Sequence, residues 1–193
     1  MKKWHLWIFA VCLVVLPRIV EAQNNIGFKY FGLSIHPAGE PENASLMPHK
    51  LDSKAVLVLN LGAEISYEHF IYDEAVSLKM VQAGYADCAA RLGGFSHLGF
   101  RLKIFDSKNH SLYGGIGPTL VYRRNWLEME DYVNLHRFKG GVDDRWQYLF
   151  LWYGGEIEYK YKRSKQWDFA LSFVPGYPDL MSLALGMHYK FLK

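Results

Sequence analysis

Three residues of this chain have side chains suited to covalent chemistry: His36, Asp87 and Cys88. Asp87 and Cys88 are neighbours in the stretch AGYADCAARLGGFSHLGF, residues 83–100, whereas His36 lies far earlier in the chain. Histidine acts as a general base, and a thiol with a lowered pKa attacks carbonyl carbons. If the fold brings the three together, the pattern indicates transfer of an acyl group. The alternative is that His36 is only a solvated polar residue.

The N-terminal residues predict export from the cytoplasm. Lys2 and Lys3 precede the apolar run LWIFAVCLVVL, and the sequence VEA at 20–22 offers a cleavage site. We therefore expect a signal peptide at 1–22 and a single domain at 23–193. Cys88 is the only cysteine of that domain, which excludes an internal disulfide. Its acidic and basic residues nearly balance, which disfavours nucleic acid as a partner.

Alternation of apolar and polar residues predicts strands throughout the exported domain. Between Ala55 and Glu68, for example, apolar residues occupy every second position, and no segment shows sustained helical periodicity. Eight strands are expected, at approximately 27–36, 54–70, 75–86, 91–106, 110–126, 146–163, 166–175 and 181–192.

Short and long connections alternate between these strands. The turns after strands two, four and six are short, whereas the segments 37–53 and 127–145 are long. Even strand number, long strands and this alternation are typical of an eight-stranded antiparallel up-and-down barrel in the bacterial outer membrane. Both termini would be periplasmic, and a monomer embedded in the membrane is expected. A secreted β-sandwich is the alternative fold.

The face of each strand that would point into the barrel divides into two zones. The periplasmic half is charged, with Glu64, Glu68, Lys79, Arg101, Lys103, Glu156, Glu158, Asp168, His188 and Lys190. The extracellular half is apolar or small, with Val81, Ala83, Tyr148, Phe150, Trp152, Ala170, Val174, Ala184 and Gly186. The charged zone predicts paired ions, because unpaired buried charges are costly. The apolar zone predicts either a pocket for an acyl chain, lined by Phe150, Trp152, Val81 and Ala184, or a dry packed core.

Several short motifs resemble the lipid A palmitoyltransferase family, in the order in which that family has them. SIH supplies a histidine, His36, at the end of the first strand, and ADC supplies Asp87 and Cys88 where the family has Asp-Ser. LGF places Gly99 at the family's pocket floor. YRRNW at 122–126 and the closing FALSFVPGY and YKF are similar to further family motifs. The resemblance implies an eight-stranded outer-membrane barrel that moves a palmitoyl chain from a phospholipid to lipid A.

The chain departs from that family at three points. Cys88 replaces the serine, only 23–26 precede the first strand where the family has an amphipathic helix, and the loop after His36 carries three prolines. Cysteine is softer and more acidic than serine, so the replacement could preserve, alter or abolish the chemistry.

Prolines and arginines supply the remaining candidate positions. Pro118 and Pro175 each remove a ladder hydrogen bond, and the resembled family uses prolines to open lateral gates for lipid. Pro175 also reads as an ordinary Pro-Gly turn. Arg123 and Arg124 would lie at headgroup height, where guanidinium groups suit phosphates. They could equally be plain rim arginines, and Gly99 could simply ease barrel curvature.

These observations predict an outer-membrane lipid acyltransferase, with phospholipid and lipid A as partners and with no cofactor or metal. Two alternatives stay open. One is a non-enzymatic surface barrel for adhesion or lipid binding. The other is a lipid A deacylase, although His110 and Ser111 would lie at the periplasmic end.

Overall fold

Each strand of the computed structural model pairs with the strand before it, and the last strand closes on the first. The structure describes residues 24–176 and 180–191, so the expected signal peptide at 1–22 lies outside the described residues. The eight strands are β1 (Asn24–Ile35), β2 (Leu57–Tyr72), β3 (Val76–Ala86), β4 (Leu92–Asp106), β5 (His110–Arg124), β6 (Trp146–Lys162), β7 (Trp167–Gly176) and β8 (Leu180–Phe191). All pairs are antiparallel, which confirms the predicted barrel.

The long connections lie together at one end of the barrel, as predicted. They contain two short 3-10 helices, Pro41–Leu46 and Trp126–Glu128. The short turns at 73–75, 107–109 and 163–166 lie at the opposite end, beside Asn24 and Phe191. No helix within 24–176 or 180–191 is long and apolar enough to cross a membrane.

The outer surface of the barrel is an apolar belt. Large exposed side chains from every strand form it, among them Phe28, Ile65, Met80, Phe100, Ile116, Ile157, Phe169 and Leu185. In water such a surface would be strongly unfavourable, whereas in lipid it is the stable arrangement for a barrel. An apolar exterior around a charged interior is the architecture of an outer-membrane barrel. The structure therefore confirms the predicted location.

The periplasmic half of the interior is a network of ion pairs. Its buried members are Lys29, Lys79, Arg101, Lys160, Glu64, Glu68, Glu156, Glu158 and His188. Lys29 Nζ lies 2.8 Å from a carboxylate oxygen of Glu64, and Lys79 Nζ lies 2.7 Å from Glu156. Arg101 Nη1 lies 2.7 Å from a carboxylate oxygen of Glu68. Opposite charges in direct contact offset much of the cost of burial, so the predicted paired plug is present.

The extracellular half of the interior is filled by a packed apolar cluster. Its members include Val81, Ala83, Val121, Leu151, Val174 and Ala184. Phe31 stacks on Tyr85 with 4.6 Å between ring centroids and meets the edge of Phe95 at 5.5 Å. Val81 and Ala184 thus face inward as predicted. They pack in a closed core, and the cavity beside Val81 and Val174 measures only about 10 Å³.

The predicted facing of Phe150 and Trp152 was wrong. Phe150 is 60% exposed and Trp152 is 71% exposed, so both belong to the outer surface, as does Tyr148. The cause is a bulge: Gly117 pairs with Gly154 and Thr119 with Leu151, so one residue of β5 opposes two of β6. An extra residue reverses the facing of every later side chain. Leu151 therefore points inward instead.

Candidate functional site

His36, Asp87 and Cys88 line one cavity at the extracellular mouth. The cavity has a volume of about 60 Å³ and is bounded by Ser34, His36, Glu40, Asn60, Tyr85, Asp87, Cys88, Val121, Arg123, Trp126 and Phe138. The three residues predicted to act together thus line one partly open cavity, although β2 separates the strands that carry them. We call this space the rim cavity.

A bulge in β1 turns His36 toward the mouth. Phe31 and Ser34 are both buried, and the pairing of β1 with both neighbours shifts between them. Without the shift, residues an odd number apart would face opposite sides of the wall. His36 lies two positions after Ser34 and therefore shares its inward direction. The backbone N–H of His36 donates to the carbonyl of Val56 at 2.7 Å, which continues the β1–β2 ladder one residue beyond the strand.

Asp87 builds the tight turn that joins β3 to β4. One carboxylate oxygen accepts hydrogen bonds from the backbone N–H groups of Ala89 at 3.0 Å and Arg91 at 2.8 Å. The other oxygen accepts from the indole Nε1 of Trp126 at 2.9 Å. Burial raises the pKa of the Asp87 carboxyl, while these donors and Arg123 oppose the rise. The carboxylate therefore holds Cys88 and Trp126 in place.

Cys88 lies in an apolar cluster formed by the extracellular loops. It is 4% exposed and packs with Ala44, Met47, Ala55, Val58 and Trp126. Burial, with the negative charge of Asp87, raises the pKa of the thiol well above its usual range. The thiol is therefore neutral in this arrangement. As a nucleophile, it would need a base to remove its proton at the moment of attack.

Arg123 and Arg124 point in opposite directions. Arg123 lines the rim cavity, with its Nε donating to Gln147 Oε1 at 3.0 Å and an Nη2 hydrogen donating to the Tyr132 hydroxyl at 2.9 Å. Arg124 lies over the ring of Trp146, 5.5 Å from its centroid. Arg124 therefore lies on the outer side of the wall, beside the exposed ring of Trp146. Alternation along β5 directs Arg123 inward, and contact of either arginine with lipid phosphates stays a prediction.

The two candidate prolines flank an irregular part of the wall around β6. Pro118 lies at the β5–β6 register shift. On the other side, pairing of β6 with β7 ends at Ile157 and Phe173, two residues before Pro175, while Pro175 still pairs with Met181 of β8. Proline cannot donate a ladder hydrogen bond, which agrees with both interruptions.

The interruption leaves a gap in backbone pairing toward the extracellular end. Within the described residues, 149–156 of β6 have no partner on β7, and 174–176 of β7 have none on β6. Higher up, the edge of β6 is covered, because the backbones of Lys139 and Tyr148 exchange hydrogen bonds of 2.8 and 2.9 Å. We call the gap between 149–156 and 174–176 the side opening.

Gly99 lies inward, at the boundary between the apolar cluster and the ion-pair network. A methyl group at this position would lie 2.4 Å from the Nε2 of His97, so glycine makes room for that ring. His97 in turn contacts the hydroxyl of Thr119 across 2.7 Å through its Nδ1. Gly99 therefore makes room for the His97 ring at this depth, and its role as the floor of an acyl pocket stays a prediction.

Sequence reasoning missed several residues of the rim cavity. Glu40, Trp126 and Phe138 reach it from loops whose course alternation does not predict. The YRRNW motif was the available signal for Trp126, since it places an aromatic residue directly after the end of β5.

Two other groups of reactive side chains lie away from the rim cavity. Within 24–176 and 180–191, ligand atoms of Glu68, Glu158 and His188 lie within 4.8 Å of one another. Both carboxylates already contact Arg101, so this group does not fit a metal ion. His110 lies at the periplasmic end, where its Nδ1 is 2.5 Å from the Tyr159 hydroxyl, far from the rim cavity.

Comparisons with known proteins give structural matches only. No protein-family model matches the chain, and no curated protein matches it. The N-terminal β-barrel domain of OprF from Pseudomonas aeruginosa is 15% identical, with 89% of this chain and 100% of that chain covered and a TM-score of 0.46. Ail, the attachment invasion locus protein of Yersinia pestis, gives 15% identity, 89% and 99% coverage and a TM-score of 0.47 in complex with the heparin analogue sucrose octasulfate. A second structure of Ail is 12% identical, with 88% of this chain and 97% of that chain covered and a TM-score of 0.45. Such similarity assigns no activity or ligand to this chain.

Proposed function

We propose that this outer-membrane barrel transfers fatty acyl groups between lipids of the outer leaflet, from a phospholipid to lipid A or a related acceptor. The observation that carries the proposal is the rim cavity, which His36 and Cys88 both line although they are 52 positions apart in the sequence. A base and a nucleophile that line one cavity at the extracellular mouth suit acyl chemistry on a lipid.

Each of the three residues has a distinct role in this proposal. His36 accepts the proton of the attacking group. Cys88 is the nucleophile, and its raised pKa means that it attacks only as His36 takes its proton. Asp87 is a positioning residue, because its carboxylate fixes the turn that carries Cys88.

The side opening supports entry of a lipid from the outer leaflet. Backbone N–H and C=O groups without partners are costly in hydrocarbon, so a strand edge exposed there needs a reason to persist. An acyl chain entering between 149–156 and 174–176 would reach the interior beside Val174 and Gly155, which line the small cavity. Pro118 and Pro175 weaken the ladder on the two sides of this path.

A non-enzymatic surface barrel is the second candidate, and the filled interior favours it. Pockets for ligands of this size usually measure about 300–1,000 Å³, whereas the rim cavity and the cavity beside Val81 measure about 60 and 10 Å³. An acyl chain could enter only if Phe31, Tyr85 and Phe95 moved aside. The extracellular loops are also fastened together, since Asn43 exchanges two hydrogen bonds with the backbone of Val133.

Acyl transfer by the purified barrel in lipid vesicles decides between the two candidates. The vesicles contain phosphatidylethanolamine with an isotopically labelled acyl chain and lipid A, and mass spectrometry follows the label. We expect transfer by the unaltered protein, none by His36→Ala and partial transfer by Cys88→Ser. His136→Ala is the matched control, because His136 is an exposed loop histidine outside the rim cavity. If the unaltered protein moves no label to lipid A, another lipid or water, the surface barrel is the correct function.

The route of entry is tested by closing the side opening. Continuing the β6–β7 register from Ile157 and Phe173 places Gly155 opposite Pro175. A thiol crosslinker between Gly155→Cys and Pro175→Cys should abolish transfer reversibly. The same crosslink between Ile157→Cys and Phe173→Cys joins strands that are already paired, and it should leave transfer intact. Equal transfer by both crosslinked proteins would exclude this route.

A further inference from the structure

The side chain of Arg123 is held firmly in place at the rim cavity. Its guanidinium lies between two aromatic rings, 4.2 Å from the centroid of Trp126 and 3.9 Å from that of Phe138. Two hydrogen bonds, to Gln147 and Tyr132, fix its rotation about the side-chain axis. Gln147 is itself buried, and its amide oxygen also accepts from the backbone N–H of Trp126 at 3.1 Å. Two ring contacts and two hydrogen bonds therefore hold the guanidinium of Arg123 in one orientation, unlike that of a solvated surface arginine.

The positioned guanidinium retains hydrogen-bonding capacity. A guanidinium has five N–H donors, and the bonds made within the described part of the chain use the one on Nε and one on Nη2. The remaining donors belong to a side chain that lines the same cavity as His36 and Cys88. Of the residues that line this cavity, Arg123 is the only one whose side chain carries a fixed positive charge.

We propose that Arg123 is a catalytic residue of the rim cavity, whose guanidinium binds the carbonyl oxygen of the acyl ester while that oxygen carries negative charge. This inference rests on the proposed acyl transfer and names the group that would stabilise its intermediate. Preformed donors aimed at a developing oxyanion are among the strongest contributions to acyl-transfer catalysis.

The chemical step places the charge on that oxygen. The sulfur of Cys88 forms a bond to the carbonyl carbon, its proton passes to His36, and the carbonyl electron pair moves onto the oxygen. When the ester C–O bond breaks, the pair returns to re-form the carbonyl, and the leaving alcohol takes the proton from His36. The thioester then meets the acceptor hydroxyl, and the same sequence runs in reverse. Arg123 would contact the oxyanion in both halves.

Substitution of Arg123 in the full-length barrel tests this role kinetically. Arg123→Gln should lower kcat by roughly 100-fold or more, as for loss of an oxyanion donor, with KM changed by less than about threefold. Added guanidinium chloride at low concentration should partly restore the rate of Arg123→Gly. Arg145→Gln removes an exposed loop arginine and should leave both constants unchanged. If unaltered protein is active and Arg123→Gln has normal kcat, this inference fails and the proposed function stands.

Binding of an anionic mimic tests the same role without turnover. Hexadecylphosphonate places a negatively charged tetrahedral group at the end of an alkyl chain. It should bind the unaltered barrel in detergent at least about tenfold more tightly than it binds Arg123→Gln, the loss typical of one charged hydrogen bond. Equal binding by the two proteins, or binding by neither, would overturn the assignment of Arg123 even if acyl transfer had been demonstrated.

Discussion

Asp87 accepts a 2.9 Å hydrogen bond from the indole Nε1 of Trp126, and this bond joins the β3–β4 turn to the start of the loop after β5. Both residues are buried, so replacing Trp126 by phenylalanine removes the side-chain donor to Asp87 Oδ2, while Oδ1 keeps the backbone N–H groups of Ala89 and Arg91. We expect Trp126→Phe to lower the free energy of unfolding in vesicles by about 1–3 kcal/mol, the cost of an unsatisfied buried acceptor. Trp146→Phe, at a tryptophan whose ring lies on the outer surface, should change it by less than about 0.5 kcal/mol. Equal stability of the two variants would contradict a structural role for the bond.

The buried thiol gives a prediction about pH. Only the thiolate reacts with iodoacetamide, and burial raises the pKa of Cys88. The thiolate fraction at pH 8 is therefore far below that of an ordinary cysteine, and the labelling rate should still rise about tenfold per unit between pH 8 and 10. Mass spectrometry of alkylated protein measures the rate.

The matched control for this labelling is an exposed thiol on the same loops. Ser45→Cys in a Cys88→Ser background places one at an exposed position. It should react faster at pH 8, and its rate should level off near pH 9, because an exposed thiol has a pKa of about 8.5. If Cys88 reacts as fast as this control, the thiol is accessible and its burial in the loop cluster is wrong.

Removal of one cation from the ion-pair network should be strongly destabilising. Lys79 Nζ lies 2.7 Å from Glu156 and 2.9 Å from Glu158. Lys79→Met leaves uncompensated negative charge inside the barrel, at a cost of about 3–5 kcal/mol in the free energy of unfolding. Adding Glu156→Gln to Lys79→Met should recover part of the loss. Urea unfolding in vesicles checks both, with Lys108→Met in an exposed turn as the control. A double variant less stable than Lys79→Met would argue against direct pairing.

The fold was predictable from sequence because every strand must be long enough to span the membrane and must carry an apolar outer face. Both requirements are visible as strand length and alternation. Residues such as Glu64 and Glu68 follow that rule without exception, and so their inward direction was predicted correctly. The facing of Phe150 and Trp152 was not predictable by alternation, since one extra residue in β6 reverses the pattern. Pro118, which cannot complete the ladder, was the signal that pairing changes there.

The site was predictable only in part. Strand ends placed His36 and Cys88 at the same rim, but the loops determine what surrounds them. The burial of Cys88 under Met47 and Trp126 depends on contacts between segments far apart in sequence. Likewise, the predicted open pocket is replaced by the stacking of Phe31 on Tyr85, because packed aromatic rings remove more apolar surface from water than an empty pocket would.

The corrected facing of β6 gives a prediction about Trp152. It distinguishes a side chain that faces the lipid, as in the structure, from one that faces the barrel interior, as alternation predicted. Trp152 should contact lipid acyl chains, because its side chain is 71% exposed on the outer surface of the barrel, whereas Trp126 is buried beneath the loops. Bromine on an acyl chain quenches tryptophan only within contact distance. In variants that retain a single tryptophan, phospholipids brominated along the chain should strongly quench Trp152 and leave Trp126 unquenched. Trp167, another exposed ring on the barrel wall, serves as the positive control. If Trp152 resists quenching while Trp167 is quenched, its side chain points into the barrel, the bulge opposite Pro118 is absent, and the pocket predicted from alternation is restored.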